Sequence, residues 1–94
     1  MVETSSYLQT AGRAFEILEL IGSFPGLNLS EVARRCNMST TVAYRLLYTL
    51  AVSGFLKQEP GGKRYFLGDK ALLIGVQSLD NQEVKRIAQY YMWD

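Results

Sequence analysis

The sequence predicts a mostly α-helical domain with one small β-hairpin, and three observations lead to this prediction. Apolar residues recur at helical spacing in successive segments of residues 10–53. Two strand-like runs, 55–59 and 64–67, then flank a Pro-Gly-Gly turn. A further apolar segment follows Asp69 and indicates another helix. At 94 residues, the chain has the length of one small domain with a tail.

The first predicted helix begins at Thr10 and ends near Gly22. Threonine is one of the residue types that cap helix N-termini. The apolar stripe that follows consists of Ala11, Ala14, Phe15, Leu18 and Ile21, widened by Ile17 and Leu20. A stripe this wide suggests two partners, the domain core and another protomer. Because Pro25 disfavours helical backbone at Phe24, we expect the helix to stop before that residue.

The next segment predicts two short helices joined by a tight turn. Ser30 is expected to cap the first of them, with Glu31 in the first turn, where the helix dipole favours a carboxylate. Asn37 suits the left-handed residue that ends a helix. Ser39 or Thr40 is then expected to cap the second helix.

The second of these helices, about 40–53, has two opposite faces. At about 100° per residue, the apolar residues that fall on the core side are Ala43, Leu46, Leu47 and Leu50. Thr41, Arg45 and Tyr48 lie opposite them, with Tyr44 on a flank. This layout is typical of a helix-turn-helix whose second, recognition helix enters a DNA groove.

The strand-like runs predict a hairpin beside the two helices, a wing that covers about 55–67. Leu27–Leu29 is a possible third strand, and Lys63 and Arg64 lie at or beside the tip of the wing. The predicted fold class is therefore a mostly α winged helix-turn-helix followed by a C-terminal linker helix.

The linker helix is predicted from Lys70 to about Ser78, with Asp69 as its cap. It is apolar on nearly all sides. Farther along, Asp80 and Glu83 resemble a capping box that begins another helix. The sequence then ends in an aromatic segment, residues 90–93.

Charge is unevenly distributed along the chain, although the net charge is only +1. Residues 32–70 contain seven basic and two acidic residues, a net charge of +5, and the remainder carries −4. A concentrated basic zone between acidic segments is typical of a localised contact with a polyanion. The alternative is a solvated surface whose charge is merely uneven.

Composition argues against several classes of site. With no His and one Cys, the usual zinc sites and His-based catalytic triads are excluded, and we expect neither metal nor cofactor nor enzymatic activity. Cys36 is expected to be a small core residue rather than a reactive thiol. No apolar run approaches the roughly 20 residues that span a bilayer, and no signal-peptide pattern opens the chain. We therefore expect no membrane contact and a cytoplasmic location.

The candidate DNA-binding residues come from the recognition helix and the wing: Ser39, Thr40, Thr41, Tyr44, Arg45, Tyr48, Lys63 and Arg64. Arg45 could pair with guanine through two hydrogen bonds or contact a phosphate. Thr40 and Thr41 could fix the register on phosphates. The two tyrosines could reach phosphates through their hydroxyls or pack against sugars. The wing cations suit phosphates or the neighbouring minor groove. For each side chain, an ordinary solvated or packing role is the alternative.

From about Tyr7 to Gly75, the chain closely resembles the N-terminal domain of the isocitrate lyase regulator (IclR) family of bacterial transcription factors. The resemblance is carried by the ordered set YLQTAGRAFEILELIG, LNLSEVARRCNMSTTVAYRLLYTL, GFLKQEPGGKRYFLG and KALLIG. Family members often have a basic residue and Ser-Thr where this chain has Thr40-Thr41-Val42, so Arg45 gains importance for base contacts.

The resemblance implies a dimeric, sequence-specific regulator that binds a roughly palindromic double-stranded operator. It implies a winged helix-turn-helix DNA-binding domain over 7–68, then a linker helix and the start of an effector-binding domain over 69–94. A small-molecule effector would act only through that C-terminal domain, which is missing here. The alternative function is a winged-helix module for protein–protein contact that docks through its aromatic C-terminal helix.

Overall fold

A computed structural model of the chain describes residues 6–78, 86–87 and 89–91. The elements in order are α1 (Gln9–Ser23), α2 (Leu29–Arg35), α3 (Thr40–Val52), β1 (Leu56–Gln58), β2 (Tyr65–Leu67) and α4 (Asp69–Gln77). The two strands pair antiparallel and form a hairpin. The predicted mostly helical fold with one small hairpin is therefore confirmed. The predicted capping box of Asp80 and Glu83 lies outside the described residues.

The hydrophobic core lies where the first three helices meet the hairpin. Its buried members are Ile17, Ile21, Leu27, Val32, Leu46, Leu47, Leu50, Leu56 and Tyr65. All four residues predicted for the inner face of α3 are buried. On α1 the buried centre is Ile17 and Ile21, whereas Phe15 is 65 % exposed. Only one side of the wide α1 stripe is therefore covered, because Phe15 lies far round the helix from Ile17.

Helix α2 begins earlier than predicted, and Ser30 is not its cap. The Asn28 Oδ1 atom accepts a hydrogen bond from the Glu31 N–H, and the Glu31 Oε1 atom accepts one from the Asn28 N–H, each at 2.9 Å. This reciprocal capping box satisfies two backbone donors at once. Ser30 lacks such a partner, since the residue three positions after it is Ala33.

Two other helix starts also differ from the prediction. Helix α1 has Leu8 as its N-cap, and α4 has Gly68, in both cases without a side-chain hydrogen bond. Thr10 and Asp69 consequently lie inside their helices. Asp69 still occupies the first turn of α4, where a carboxylate stabilises the helix through its dipole.

The turn between α2 and α3 has the predicted geometry. Asn37 has φ 53°, the left-handed region that Asn tolerates better than most residues. Ser39 then caps α3, because its Oγ accepts a hydrogen bond from the Val42 N–H at 3.1 Å. Helix α3 ends before Ser53 and Gly54, as predicted.

The hairpin is attached to the loop before α2 by three hydrogen bonds. The Gly26 N–H donates to the Tyr65 carbonyl at 2.8 Å, and the Tyr65 N–H donates to the Leu27 carbonyl at 2.9 Å. The Arg64 Nη1 atom donates to the Gly26 carbonyl at 2.8 Å. The predicted third strand is thereby reduced to a single bridge between Leu27 and Tyr65, since Leu29 already belongs to α2.

Helix α4 projects an uncovered apolar surface. None of its residues is buried. The large apolar side chains that remain more than half exposed are Leu72, Leu73, Ile74 and Val76.

Candidate nucleic-acid interface

All eight residues that the sequence nominates for DNA contact are exposed. Six of them lie at the start or on the outer face of α3, and two lie on the hairpin. Helix α3 presents them because its opposite face is anchored by four buried residues. The candidate interface is therefore the exposed side of α3 together with the adjoining hairpin.

The first turn of α3 offers two free backbone donors. Ser39 Oγ satisfies the Val42 N–H, and the Ser39 carbonyl accepts from the Ala43 N–H at 2.9 Å. Within the described part of the chain, the N–H groups of Thr40 and Thr41 have no hydrogen-bond acceptor. The positive end of this 13-residue helix therefore has donors available for an anion.

Arg45 is unpaired on the outer face. Its guanidinium makes neither a hydrogen bond nor an ion pair with any residue that the structure describes. It borders an open cleft of roughly 310 Å³ whose other lining residues are Thr10, Val42, Leu46 and Thr49. A guanidinium that is free of internal partners retains all its donors for a base edge or a phosphate.

Tyr44 and Tyr48 form an aromatic surface beside Arg45. Their ring centroids are 6.1 Å apart with an interplanar angle of 28°, a stacked arrangement that comes from their separation by one helical turn. Each ring limits the other's freedom, so the surface is partly pre-organised for contact.

The two cations of the hairpin differ in their environment. Arg64 uses Nη1 to bind the Gly26 carbonyl, so its side chain also stabilises the attachment of the hairpin. Lys63 has no partner among the described residues and is exposed beside the turn. The structure therefore leaves Lys63 the freer of the two for an external anion.

A groove brings further residues together that the sequence did not nominate. It has a volume of roughly 490 Å³, and its lining residues are Asn28, Leu29, Ser30, Tyr44, Gln58, Lys63 and Tyr65. Gln58 and Tyr65 are direct cross-strand partners. One signal was present in the sequence, because Gln58 follows Leu56 by two residues and so lies on the same face of β1 as that buried side chain.

Two further groups near the interface, Arg35 and Cys36, make contacts within the protein. Arg34 and Arg35 are exposed on α2, and the Arg35 guanidinium lies 4.8 Å from the centroid of the Phe24 ring. Burial raises the pKa of the Cys36 thiol, with a smaller contribution from the negative charge of Glu16. Cys36 packs against the core as predicted.

The described residues contain neither a candidate metal site nor a candidate membrane span. Within 6–78, 86–87 and 89–91, no three His, Cys, Asp or Glu side chains are grouped so that they could hold a metal ion. In the same ranges, no helix combines the length and the apolar character needed to cross a membrane.

Comparison with known sequences identifies similar proteins. The sequence profile described as the IclR helix-turn-helix domain matches residues 10–60. The HTH-type transcriptional regulator KdgR of Escherichia coli is 30% identical over 80 residues, which are 85% of this chain and 30% of that protein. The glycerol operon regulatory protein of Streptomyces griseus is 33% identical over 87 residues, 92% of this chain and 34% of that protein. Both relatives are named as regulators and neither as an enzyme, and the chain spans about a third of their length.

Solved structures that superpose on this chain include regulators of the same family. The crystal structure of IclR from Thermotoga maritima superposes with a TM-score of 0.69 at 34% identity, over 88% of this chain and 34% of that one. HmgR of Pseudomonas aeruginosa has a TM-score of 0.71 at 31% identity, over 79% of this chain and 31% of that one. The Zalpha domain of Cyprinid Herpesvirus 3 ORF112, solved for its binding to Z-DNA, has a TM-score of 0.58 at 19% identity, covering 61% of this chain and 93% of that one. That similarity shows a shared fold alone.

Proposed function

The chain belongs to the IclR family of helix-turn-helix proteins, and from this premise we propose that it binds double-stranded DNA sequence-specifically as part of a transcriptional regulator. The observation that carries the proposal is the outer face of α3. On this face, the Arg45 guanidinium and the N–H groups of Thr40 and Thr41 have no partner among the described residues, and they lie next to an anchored hairpin. Such a surface suits a duplex, because it offers donors for base edges and for phosphates together.

The proposed binding mode has α3 in the major groove. Arg45 would make the base contact, and the first turn of α3, with Ser39 as its cap, would set the register on phosphates. Tyr44 and Tyr48 would pack against the sugar-phosphate backbone. Lys63, with the remaining donors of Arg64, would contact the backbone or the minor groove.

We further propose that the chain acts as a homodimer on a roughly palindromic operator. The uncovered apolar surface of α4 and the exposed Phe15 on α1 are the surfaces that a second copy would bury. Sedimentation with Leu73→Lys tests this proposal. A shift from dimer to monomer supports it, whereas a dimer of unchanged stability would argue against α4 as the interface.

The proposed domain division follows the family. Residues 7–68 would form the DNA-binding domain, and residues 69–94 would form the linker helix and the start of an effector-binding domain. A small-molecule effector would act through a C-terminal domain. That domain would correspond to the part of the two relatives' length that this chain does not match. The cytoplasm, where bacterial DNA lies, is the proposed location.

Selection of bound sequences from a random duplex pool tests the proposed DNA binding. On the selected duplex, Arg45→Ala is expected to lower the affinity by about 1–3 kcal/mol and to relax the preference at one position per half-site. Arg34→Ala is the matched control, because it removes the same charge from α2 and should leave the base preference unchanged. An unchanged preference in Arg45→Ala would exclude Arg45 as a base reader.

One observation favours a second candidate function, protein–protein contact through the aromatic C-terminal segment. Tyr90 and Tyr91 are 81 % and 77 % exposed, and their rings meet edge to face at 5.0 Å between centroids. Salt dependence distinguishes the two functions. Duplex binding that weakens steeply with added salt supports DNA, and salt-insensitive protein binding without duplex binding supports the alternative.

A further inference from the structure

The groove between α3, the start of α2 and the hairpin contains hydrogen-bond donors from three separate elements. Ser30 comes from α2, Tyr44 from α3, and Lys63 from the hairpin. None of the described residues that line this groove is acidic. The groove borders the outer face of α3 through Tyr44, so a duplex bound to that face would pass beside its opening.

Gln58 and Tyr65 form one wall of the groove as a cross-strand pair. They are directly opposite in the hairpin register, so their side chains leave the sheet on the same face and lie next to each other. The pairing of β1 with β2 fixes this arrangement. The wall therefore presents an amide and a phenol at a defined separation.

The Tyr65 hydroxyl has no partner among the residues that the structure describes. The residue is only 5 % exposed, and its ring belongs to the core cluster. No hydrogen bond connects its hydroxyl to any described residue. Among those residues, no fully buried side-chain oxygen lacks a partner, so this oxygen keeps some exposed surface, and Tyr65 is one of the residues that line the groove.

This hydroxyl is suited to donate to an external acceptor. A phenolic O–H is both a donor and an acceptor, and an exposed one can donate to water or to a ligand. Burial, with the nearby Tyr44 as a smaller cause, raises the pKa of Tyr65, so the phenol keeps its proton at neutral pH. A phosphate oxygen is a strong acceptor and carries no proton that would compete.

The neighbouring carboxylates are held in other positions. The Glu31 carboxylate accepts the Asn28 N–H in the capping box. The Glu59 side chain lies against Gly62 across the hairpin turn. Lys63 is therefore the charged side chain that lines the groove, and it gives the groove a positive character.

We propose that this groove binds one backbone phosphate of the duplex, with the Tyr65 hydroxyl and the Gln58 amide as donors and Lys63 as the counter-charge. The inference rests on the proposed DNA binding and adds two residues to it. Because phosphates are common to all sequences, the site would position the chain without reading bases.

Tyr65→Phe tests the proposal, because it removes a single oxygen atom. That oxygen has no partner among the described residues, so the thermal unfolding midpoint should be unchanged. Affinity for the selected duplex is expected to fall about tenfold, in line with the loss of a hydrogen bond to a charged group, and the base preference should be unchanged. Tyr7→Phe is the matched control, since Tyr7 lies two residues before α1 and is not among the residues that line the groove, and this variant should leave affinity unaltered.

A phosphate scan shows where the hydroxyl acts. Single methylphosphonates, which remove one negative charge each, are placed along the selected duplex. With the wild-type protein, one position per half-site should weaken binding, and with Tyr65→Phe the same substitution should add little. Gln58→Ala should reproduce this loss of sensitivity, whereas Lys57→Ala, on the opposite face of β1, should not.

These experiments distinguish the failure of the phosphate site from the failure of DNA binding itself. If Tyr65→Phe binds the duplex as tightly as the wild type with the same methylphosphonate profile, the phosphate site is refuted and DNA binding stands. If the wild-type protein binds no duplex at any salt concentration, the proposed function fails and the phosphate site fails with it.

Discussion

Gly54 and Gly68 lie against each other where α3 ends and α4 begins. A Cβ atom at Gly68 would overlap the Gly54 carbonyl group. The Lys70 N–H donates to the same carbonyl at 3.1 Å, and the Gly68 N–H donates to the Phe55 carbonyl at 2.8 Å. The backbone of Gly54 itself has φ 87°, which glycine adopts without strain. This close approach joins the hairpin and the linker helix to the end of α3.

Gly68→Ala should destabilise the protein by about 1–3 kcal/mol, because the added methyl group meets backbone atoms that cannot rotate away. The free energy of urea-induced unfolding measures the effect. Gly75→Ala is the control, since nothing lies within 4 Å of its added Cβ. There, the higher helix propensity of Ala should stabilise α4 by up to about 1 kcal/mol. Equal stabilities of the two variants would contradict the close approach at Gly54.

Asn28→Ala should destabilise the protein by about 1 kcal/mol, because it removes the side-chain acceptor of the α2 capping box. Ser30→Ala, two residues later, should change the free energy of unfolding by less than about 0.5 kcal/mol. The comparison decides between the observed cap and the one expected from the sequence. A larger effect at Ser30 would show that α2 begins after Ser30.

The N-cap of α2 is Asn28 and not the predicted Ser30, although the sequence contained the information to identify it. Two capping residues, Asn28 and Ser30, compete for one helix start, and Glu31 decides between them because it lies three residues after Asn28. That spacing is readable from the sequence alone. The caps of α1 and α4 are different, since Leu8 and Gly68 act through extended backbone conformation, which residue type does not reveal.

The part of the candidate interface that lies on α3 was predictable from the sequence. Periodicity alone assigned Arg45 to the outer face and Leu46 to the core face of α3. The Tyr65 hydroxyl was not predictable in the same way, because its ring is buried like any core aromatic residue. Its relation to Gln58 and Ser30 depends on the strand register and on how the hairpin packs against α2.

Lys63→Ala should lower the salt dependence of duplex binding as well as the affinity. Each phosphate contact that is lost reduces the slope of log affinity against log salt by about 0.9. Lys57→Ala, which removes an equal charge from the opposite face of β1, should leave the slope near its wild-type value. Equal slopes for both variants would show that Lys63 contributes only general positive potential.

The Cys36 thiol should react slowly with iodoacetamide at neutral pH. Burial and the charge of Glu16 both disfavour the thiolate and raise the pKa of Cys36 above the ordinary thiol value, so less of the nucleophilic form is present. The pH profile of the reaction rate should therefore have its midpoint above that value. Glu16→Gln should shift the midpoint downward, and unfolding in urea should bring it to the usual value. A midpoint in the folded protein at or below that of the urea-unfolded chain would contradict the assigned burial.

The three hydrogen bonds that join Gly26, Leu27, Arg64 and Tyr65 make the hairpin continuous with the helical body. The distance between the tip at Lys63 and the start of α3 is consequently fixed. Inserting one base pair between their two contact points would move one point by about 3.4 Å and turn it by about 36° around the duplex axis. A chain built in this way would distinguish targets by the spacing and helical phase of their contact points, independently of which bases lie between them.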